Sequence, residues 1–147
     1  MLPKEIYILN GPNLNLLGKR EPEIYGSKTF EEFFEEIKHQ FADLQLHYFQ
    51  SNHEGALIDK LHEVGFDPVG IIINPGGYTH TSVALGDAVA SIQAPVIEVH
   101  ISNIYAREAF RHHSYLKPHC VHTVVGKGLN GYIEAIQFLL RPKADRL

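Results

Sequence analysis

The sequence predicts an α/β fold, a doubly wound five-stranded parallel sheet with helices on both faces in a three-layer α/β/α arrangement. Two observations support this prediction. Short apolar runs, typical of buried strands, alternate along the chain with segments whose apolar residues recur at helical spacing. Clusters of glycine, proline and asparagine separate the two kinds of segment. The length of 147 residues, 44% of them hydrophobic, suits a single domain spanning 1–147.

The strands are predicted at the short, continuous apolar runs. The run over 69–73 is typical of a strand that is covered on both faces. The first run ends at the turn-forming sequence NGPN, and the third ends at NPGG. The five predicted strands are 6–9, 44–49, 69–73, 96–100 and 121–125.

The helices are predicted from apolar residues at helical spacing. Thr29 begins the first helix, because Glu32 follows three residues later as in a capping box. Pro142 ends the last helix. The predicted helices are 29–41, 54–64, 81–92 and 129–140, with a short helical turn over 105–110 and a loop over 14–27.

Right-handed crossovers allow few arrangements of these elements. The flavodoxin-like strand order 2-1-3-4-5 suits five strands in a chain of this length best. Ligands of such sheets bind beyond the carboxyl ends of the strands. The segments in which to expect a site are therefore 10–26, 50–54, 74–80, 100–112 and 126–128.

The composition excludes several classes of partner. The net charge of −4 and the isoelectric point near 6.2 argue against a nucleic-acid-binding surface. No apolar run approaches the ~18 residues of a membrane span. The single cysteine, Cys120, is typical of a reducing compartment, so we expect a cytoplasmic protein.

Side chains that bind and react concentrate in the predicted strand-end segments. Each patch taken alone is also good turn or capping chemistry. The predicted fold, however, brings all of them to one edge of the sheet, which favours a site. They are Asn10, Asn13, Asn15, Arg20 and Tyr25 after the first strand, Asn74 and His80 after the third, and Glu98, His100, Ser102, Asn103, Arg107 and Arg111 at and after the fourth.

Several nucleotide and hydrolase signatures are absent from the sequence. Neither GxxxxGK[ST] nor GxSxG occurs. A GxGxxG pattern does occur over 126–131, but no acidic residue follows on another strand ~20 residues later, as dinucleotide binding requires. Packing of a tight turn is the favoured interpretation of these glycines.

Several motifs in order carry a resemblance to a known family. They are NGPNLNLLG over 10–18, REP over 20–22 with YG at 25–26, NPGGYTHTS over 74–82, EVHISN over 98–103, REAFRHHS over 107–114 and GKGLNGY over 126–132. Together they resemble type II 3-dehydroquinate dehydratase over essentially the whole chain, which implies that 1–147 is a single catalytic domain.

The resemblance implies that the chain removes water from 3-dehydroquinate to give 3-dehydroshikimate, through an enolate and without cofactor, metal or Schiff base. This reaction belongs to the shikimate pathway of aromatic amino-acid biosynthesis. It also serves quinate breakdown, and the sequence leaves both roles open. The elimination requires a base for the α-proton, donors for the enolate oxygen and an acid for the departing hydroxyl.

The resemblance makes Tyr25 the base and Arg20 the charge that activates it. A free tyrosine has a pKa near 10, so only about one in a thousand is ionised at pH 7. A positive charge nearby favours the phenolate. Arg20 lies five residues away, in a loop whose glycines at 18 and 26 would let it close over substrate.

The resemblance makes His100 the general acid, and an imidazole suits proton transfer at neutral pH. Glu98 lies two residues earlier on the predicted strand, so both side chains point to one face. The carboxylate would then hold the imidazole and favour its protonated form. Asn13 resembles the donor that stabilises the enolate.

Substrate binding and assembly are also implied by the resemblance. The implied binding residues are Asn74, His80, Ile101, Ser102 and Arg111. Asp87, on the predicted third helix, would reach the active site of a neighbouring subunit. A trimer is then the catalytic unit, and the family usually assembles four trimers into a dodecamer.

Two alternatives stay open. Four histidines flank Cys120: His112, His113, His119 and His122. Cys120 and His122 are two residues apart and would face one way on a strand. The sequence nevertheless lacks the ligand spacing of a structural zinc site, so surface or interface histidines are favoured. The other alternative is a non-catalytic, flavodoxin-like module that binds a small anionic ligand, since fold alone does not separate binding from catalysis.

Overall fold

The computed structural model describes residues 2–146, apart from the side chains of Ile24 and Tyr25. Within it, five parallel strands form one sheet in the order β2-β1-β3-β4-β5, which confirms the predicted topology. The strands are β1 (Glu5–Asn10), β2 (Gln45–Gln50), β3 (Gly70–Asn74), β4 (Val96–His100) and β5 (His122–Val125).

Helices cover both faces of the sheet. Thr29 caps the first long helix as predicted: its Oγ1 accepts from the Glu32 backbone N–H at 3.2 Å, and Glu32 Oε1 accepts from the Thr29 N–H at 3.2 Å. The helices of the described residues are α1 (Pro22–Tyr25), α2 (Phe30–Gln40), α3 (Glu54–Val64), α4 (Val83–Ser91) and α5 (Asn130–Leu139).

Some boundaries differ from the prediction. The predicted loop over 14–27 contains the short helix α1. The helix α4 begins two residues later than expected, because the Ser82 hydroxyl caps it by accepting from the Leu85 N–H at 2.9 Å. The single turn predicted over 105–110 is two short 3₁₀ turns, Ile104–Ala106 and Ala109–His112.

The core lies in two layers, one on each face of the sheet. The side chain of Ile72 packs with α2 and α5, whereas those of its strand neighbours Ile71 and Ile73 pack with α3 and α4. All three side chains are fully buried. This burial on both faces explains why the third strand is apolar throughout.

The strand register brings the functional loops together. Asn10, the last residue of β1, lies opposite Asn74, the last residue of β3. The Gly11 N–H then donates to the Asn74 carbonyl at 2.8 Å. A Cβ at Gly11 would lie 2.4 Å from the Pro75 carbonyl oxygen, so only glycine allows the two loops to meet this closely. Within residues 2–146, no helix is long and apolar enough to cross a membrane.

Candidate active site

A cleft of about 170 Å³ opens beyond the carboxyl ends of β1, β3 and β4. Of the predicted site residues, Glu98 lies beneath the cleft, Asp87 lies on an exposed position of α4 outside it, and the side chain of Tyr25 lies outside the described residues. The other residues to which the resemblance gives a catalytic or binding role all line the cleft: Asn13, Arg20, Asn74, His80, His100, Ile101, Ser102 and Arg111. Of the further strand-end candidates, Arg107 lines the cleft, whereas Asn10, Asn15 and Asn103 do not.

The floor of the cleft is a buried polar group made of Glu98, His100 and Ser114. The exposed fraction is 0% for Glu98 and 4% for His100. Glu98 Oε2 is hydrogen-bonded to His100 Nε2, as the sequence predicted for this pair. Glu98 Oε1 accepts from the Ser114 hydroxyl at 2.8 Å. Both carboxylate oxygens therefore have a partner, which a buried carboxylate requires.

Ser114 was not among the predicted site residues. Its Oγ accepts from the backbone N–H groups of Leu116 and Lys117, each at 3.1 Å, so the hydroxyl hydrogen is directed at Glu98. The serine lies in the REAFRHHS motif, but nothing in the spacing indicates that it contacts a strand 16 residues earlier.

His80 lies beside the floor. Its Nδ1 is 2.7 Å from the His113 carbonyl oxygen and must donate to it, because a carbonyl only accepts. Burial lowers the pKa of His80 and outweighs the hydrogen bond to the His113 carbonyl, which raises it; the His100 and Arg111 charges also lower this pKa. The neutral ring then carries its hydrogen on Nδ1, which leaves Nε2 as an acceptor for a hydroxyl group.

A second buried network lies behind Asn74. Its Oδ1 accepts from the Gly76 N–H at 3.1 Å, and its Nδ2 donates to the Tyr132 hydroxyl at 3.1 Å. The Tyr132 hydroxyl donates to Asn10 Oδ1 at 2.8 Å. Tyr132, on α5, is fully buried and was not predicted as a site residue, because an aromatic residue on the apolar face of a helix indicates core packing.

The rim of the cleft is charged: Arg20, Arg107 and Arg111 line it, and Glu21 lies beside them as the partner of Arg20. Arg20 Nη2 lies 2.8 Å from Glu21 Oε2, and Arg107 Nη1 donates to the Ser102 hydroxyl at 3.3 Å. The hydrogen bond from Arg20 holds the pKa of Glu21 below its ordinary value, and the charges of Arg107 and Arg111 add to this effect. Three arginines around one cleft favour an anionic ligand.

The glycine pattern over 126–131 supports the cleft from behind. The Gly126 N–H donates to the His100 carbonyl at 3.1 Å, and the Gly128 N–H donates to the Ile101 carbonyl at 3.0 Å. Both glycines have a positive φ, 78° and 61°, in agreement with a tight turn. The turn thus fixes the backbone whose N–H groups were predicted to bind a carboxylate.

Cys120 and His122 lie on opposite faces of the sheet. The His122 ring stacks on Phe138 at 4.2 Å, on the face of the sheet covered by α2 and α5, whereas Cys120 packs against the opposite layer. The prediction that Cys120 and His122 face one way on a strand was wrong, because β5 begins only at His122. Within residues 2–146, no three His, Cys, Asp or Glu side chains are grouped to hold a metal ion.

Comparison with known proteins places the fold and cleft in context. The family model described as Dehydroquinase class II matches residues 4–140. A 3-dehydroquinate dehydratase from Bacillus pumilus (strain SAFR-032) is 56% identical over 136 residues, which cover 90% of this chain and 92% of that protein. A catabolic 3-dehydroquinase from Pyricularia oryzae is 51% identical over 140 residues, which cover 92% of this chain and 89% of that protein.

A solved structure agrees with this similarity. The type II dehydroquinase from Butyrivibrio crossotus DSM 2876 superposes on this chain with a TM-score of 0.89 at 48% identity. The superposition covers 93% of this chain and 97% of that one.

Proposed function

The chain belongs to the Dehydroquinase class II family, as its motifs predicted, and on that premise we propose that it dehydrates 3-dehydroquinate to 3-dehydroshikimate. The strongest support for this reaction is the following arrangement of charged and proton-transferring side chains. A buried carboxylate–imidazole pair, Glu98 and His100, lies at the base of a cleft with three arginines on its rim. A proton-transfer group beside positive charge suits an elimination from an anionic substrate.

The first step removes the α-proton beside the ketone of the substrate. We assign this step to the Tyr25 phenolate, with Arg20, five residues earlier in the chain, favouring the ionised form. As the phenolate oxygen bonds to the proton, the electron pair of the C–H bond forms the C=C bond of the enolate, and the π pair of the C=O bond moves to the ketone oxygen. The amide of Asn13, which lines the cleft, would stabilise that oxygen directly or through a water molecule.

The second step expels the hydroxyl group. As the enolate collapses, the C–O bond breaks, and His100 gives its proton to the leaving oxygen so that water departs. His100 Nε2 is bonded to Glu98, so the transferred proton would come from Nδ1. The buried Glu98 carboxylate would stabilise the imidazolium before the transfer. Because Ser114 holds the other oxygen of this carboxylate, the carboxylate also fixes the position of the His100 ring.

Both hydrogen-bond donors and hydrogen-bond acceptors would hold the substrate. The N–H groups of Ile101 and Ser102 and the nearby arginine charges suit the carboxylate. The Nε2 acceptor of His80, the Asn74 amide and Arg111 suit the ring hydroxyls. These assignments follow the resemblance residue by residue.

The direct test mixes purified protein with 3-dehydroquinate and follows the ultraviolet absorbance of the conjugated enone product, with a borohydride-treated sample alongside. We expect a rise in absorbance that survives borohydride, which traps Schiff bases. Tyr25→Phe should abolish turnover while largely sparing binding, whereas near-normal turnover in this variant would contradict the assignment of the base. No turnover by the unmodified chain would favour the binding module instead.

We also expect a dodecamer of four trimers in which Asp87 completes a neighbouring active site. The exposure of Asp87 on α4, outside its own cleft, supports this arrangement. Light scattering should then give a mass about twelve times the 16.6 kDa of one chain. Co-refolding inactive Asp87→Ala with inactive Tyr25→Phe should restore part of the activity, because mixed trimers pair intact Asp87 with intact Tyr25; no restoration would place both residues in one subunit's site.

The relatives leave the physiological role open between synthesis and breakdown, since a 3-dehydroquinate dehydratase and a catabolic 3-dehydroquinase match at similar identity, 56% and 51%. We propose a cytoplasmic enzyme of the shikimate pathway acting as one catalytic domain. Its single, unpaired cysteine supports a reducing compartment.

A further inference from the structure

We propose that Tyr132 is a positioning residue, whose buried hydroxyl fixes the side-chain amide of Asn74 in the orientation that binds substrate. This inference rests on the proposed function, because it takes Asn74 as a substrate-binding residue. Tyr132 is not one of the residues that line the cleft, and it acts through Asn74 rather than by touching substrate.

The direction of each hydrogen bond carries the argument. A tyrosine hydroxyl has one hydrogen to donate, and Tyr132 gives it to Asn10 Oδ1 at 2.8 Å. Towards Asn74 the hydroxyl can therefore only accept, which it does from Nδ2 at 3.1 Å. At the other end of the same amide, the Gly76 N–H donates to Oδ1 at 3.1 Å.

These two contacts select one orientation of the Asn74 amide. After a 180° flip, the NH₂ group would face the Gly76 N–H, donor against donor. The amide oxygen would face the lone pairs of the Tyr132 hydroxyl, acceptor against acceptor. The mismatch at Tyr132 would be buried and the one at Gly76 partly buried, and an unsatisfied polar group is costly where water is excluded. The second N–H and the second lone pair of the amide thus have a defined direction at the cleft.

The tyrosine is itself held firmly. Its exposed fraction is 0%, and its ring packs edge-on against Phe30 at 5.1 Å and tilted against Phe33 at 6.0 Å. Burial raises the pKa of the Tyr132 hydroxyl, so the group keeps its hydrogen at any working pH. Tyr132 on α5 therefore offers the Asn74 amide, at the end of β3, a hydrogen-bond acceptor in a fixed position.

The experiment compares Tyr132→Phe with Tyr48→Phe by steady-state kinetics on 3-dehydroquinate. Tyr48 is a matched control: its ring stacks on the same Phe30 at 4.5 Å, and its buried hydroxyl interacts with Asn10. Within the described residues it makes no hydrogen bond to Asn74, so it tests the Asn10 end of the network alone. We expect KM to rise about five- to tenfold in Tyr132→Phe, the scale of one lost hydrogen bond. We expect kcat to change less than KM, and Tyr48→Phe to leave both nearly unchanged.

A merely structural role would lower the thermal midpoint of Tyr132→Phe and leave KM unchanged, which would overturn the inference. A double-mutant cycle sharpens the test. If Tyr132 acts through Asn74, Tyr132→Phe should have almost no further effect on KM in an Asn74→Ala background. If the increases in KM caused by the two single substitutions multiply in the double variant, the inference is overturned.

The failure of the proposed function is recognised separately, because the unmodified chain would then show no turnover. In that case the crystal structure of Tyr132→Phe decides the inference. An Asn74 amide rotated away from Gly76 would support it, and an amide in unchanged position would overturn it.

Discussion

The floor and the rim of the cleft are built in opposite ways. The floor buries Glu98 and His100 at 0% and 4% exposure, and each group is held by hydrogen bonds from fixed positions. On the rim, the side chains of Arg20 and Glu21 are 34% and 44% exposed and pair with each other. Exposed ion pairs contribute little to stability, whereas a buried carboxylate without partners is costly.

This difference separates stability from recognition within one site. The floor must be complete before substrate arrives, because its polar groups have no water to bond with. The rim can exchange its partners, because water and substrate compete for the same charges. We therefore expect changes in the floor to affect stability or proton transfer, and changes in the rim to leave stability almost unaltered.

The largest effect is expected from His100→Gln. The glutamine amide can still donate a hydrogen bond to Glu98, but it cannot transfer a proton. We expect kcat to fall by about 10²- to 10⁴-fold, while the thermal midpoint changes little. A kcat within tenfold of that of the unmodified chain would mean that another group protonates the leaving hydroxyl.

A smaller effect is expected from Ser114→Ala, which removes the partner of Glu98 Oε1. The free energy of unfolding should fall by about 1–3 kcal/mol, the cost of leaving a buried acceptor unsatisfied. Urea unfolding at fixed protein concentration measures it. Ser91→Ala is the control, since that exposed hydroxyl donates to a backbone carbonyl; an equal loss in both variants would contradict the importance of burial.

The pH dependence of stability should reveal His80, which lies between floor and rim. Its pKa is lowered by burial, so the unfolded chain binds the proton more tightly than the folded one. Stability from the neutral ring is fully present above the unfolded pKa of about 6.5 and is lost as the pH falls from there through the lower pKa of the folded chain. The stability advantage of the unmodified chain over His80→Asn should therefore shrink from about pH 7.5 to 5.5; an advantage that grows on acidification would refute this.

The smallest effect is expected from Glu21→Gln on the rim. Its carboxylate is exposed and pairs with the adjacent Arg20, so we expect the urea midpoint at pH 7 to stay unchanged. The folded chain holds the pKa of Glu21 low, so any stability it adds is present above the unfolded pKa near 4.3 and lost below it. A clear midpoint shift at neutral pH would show that the rim is a structural element.

The sequence predicted most of the fold because local signals carried it. The apolar runs marked the strands, and the Thr29 and Glu32 pair marked the start of α2. The crossover rule left few arrangements, of which the flavodoxin-like order suited five strands best, and the structure has that order. The sequence also predicted the pairing of Glu98 with His100, because residues two apart on a strand share a face. The same rule failed for Cys120 and His122, since it holds only within a strand and β5 begins at His122.

By itself the sequence determined which residue types lie at the carboxyl edge of the sheet, because period and turn chemistry are local properties of the chain. Only the tertiary structure decided how the buried polar groups are partnered. Ser114 reaches Glu98 across 16 residues, and Tyr132 reaches Asn74 across 58 and Asn10 across 122. No spacing rule encodes such pairs, because a buried polar group is satisfied by whatever packing brings near it.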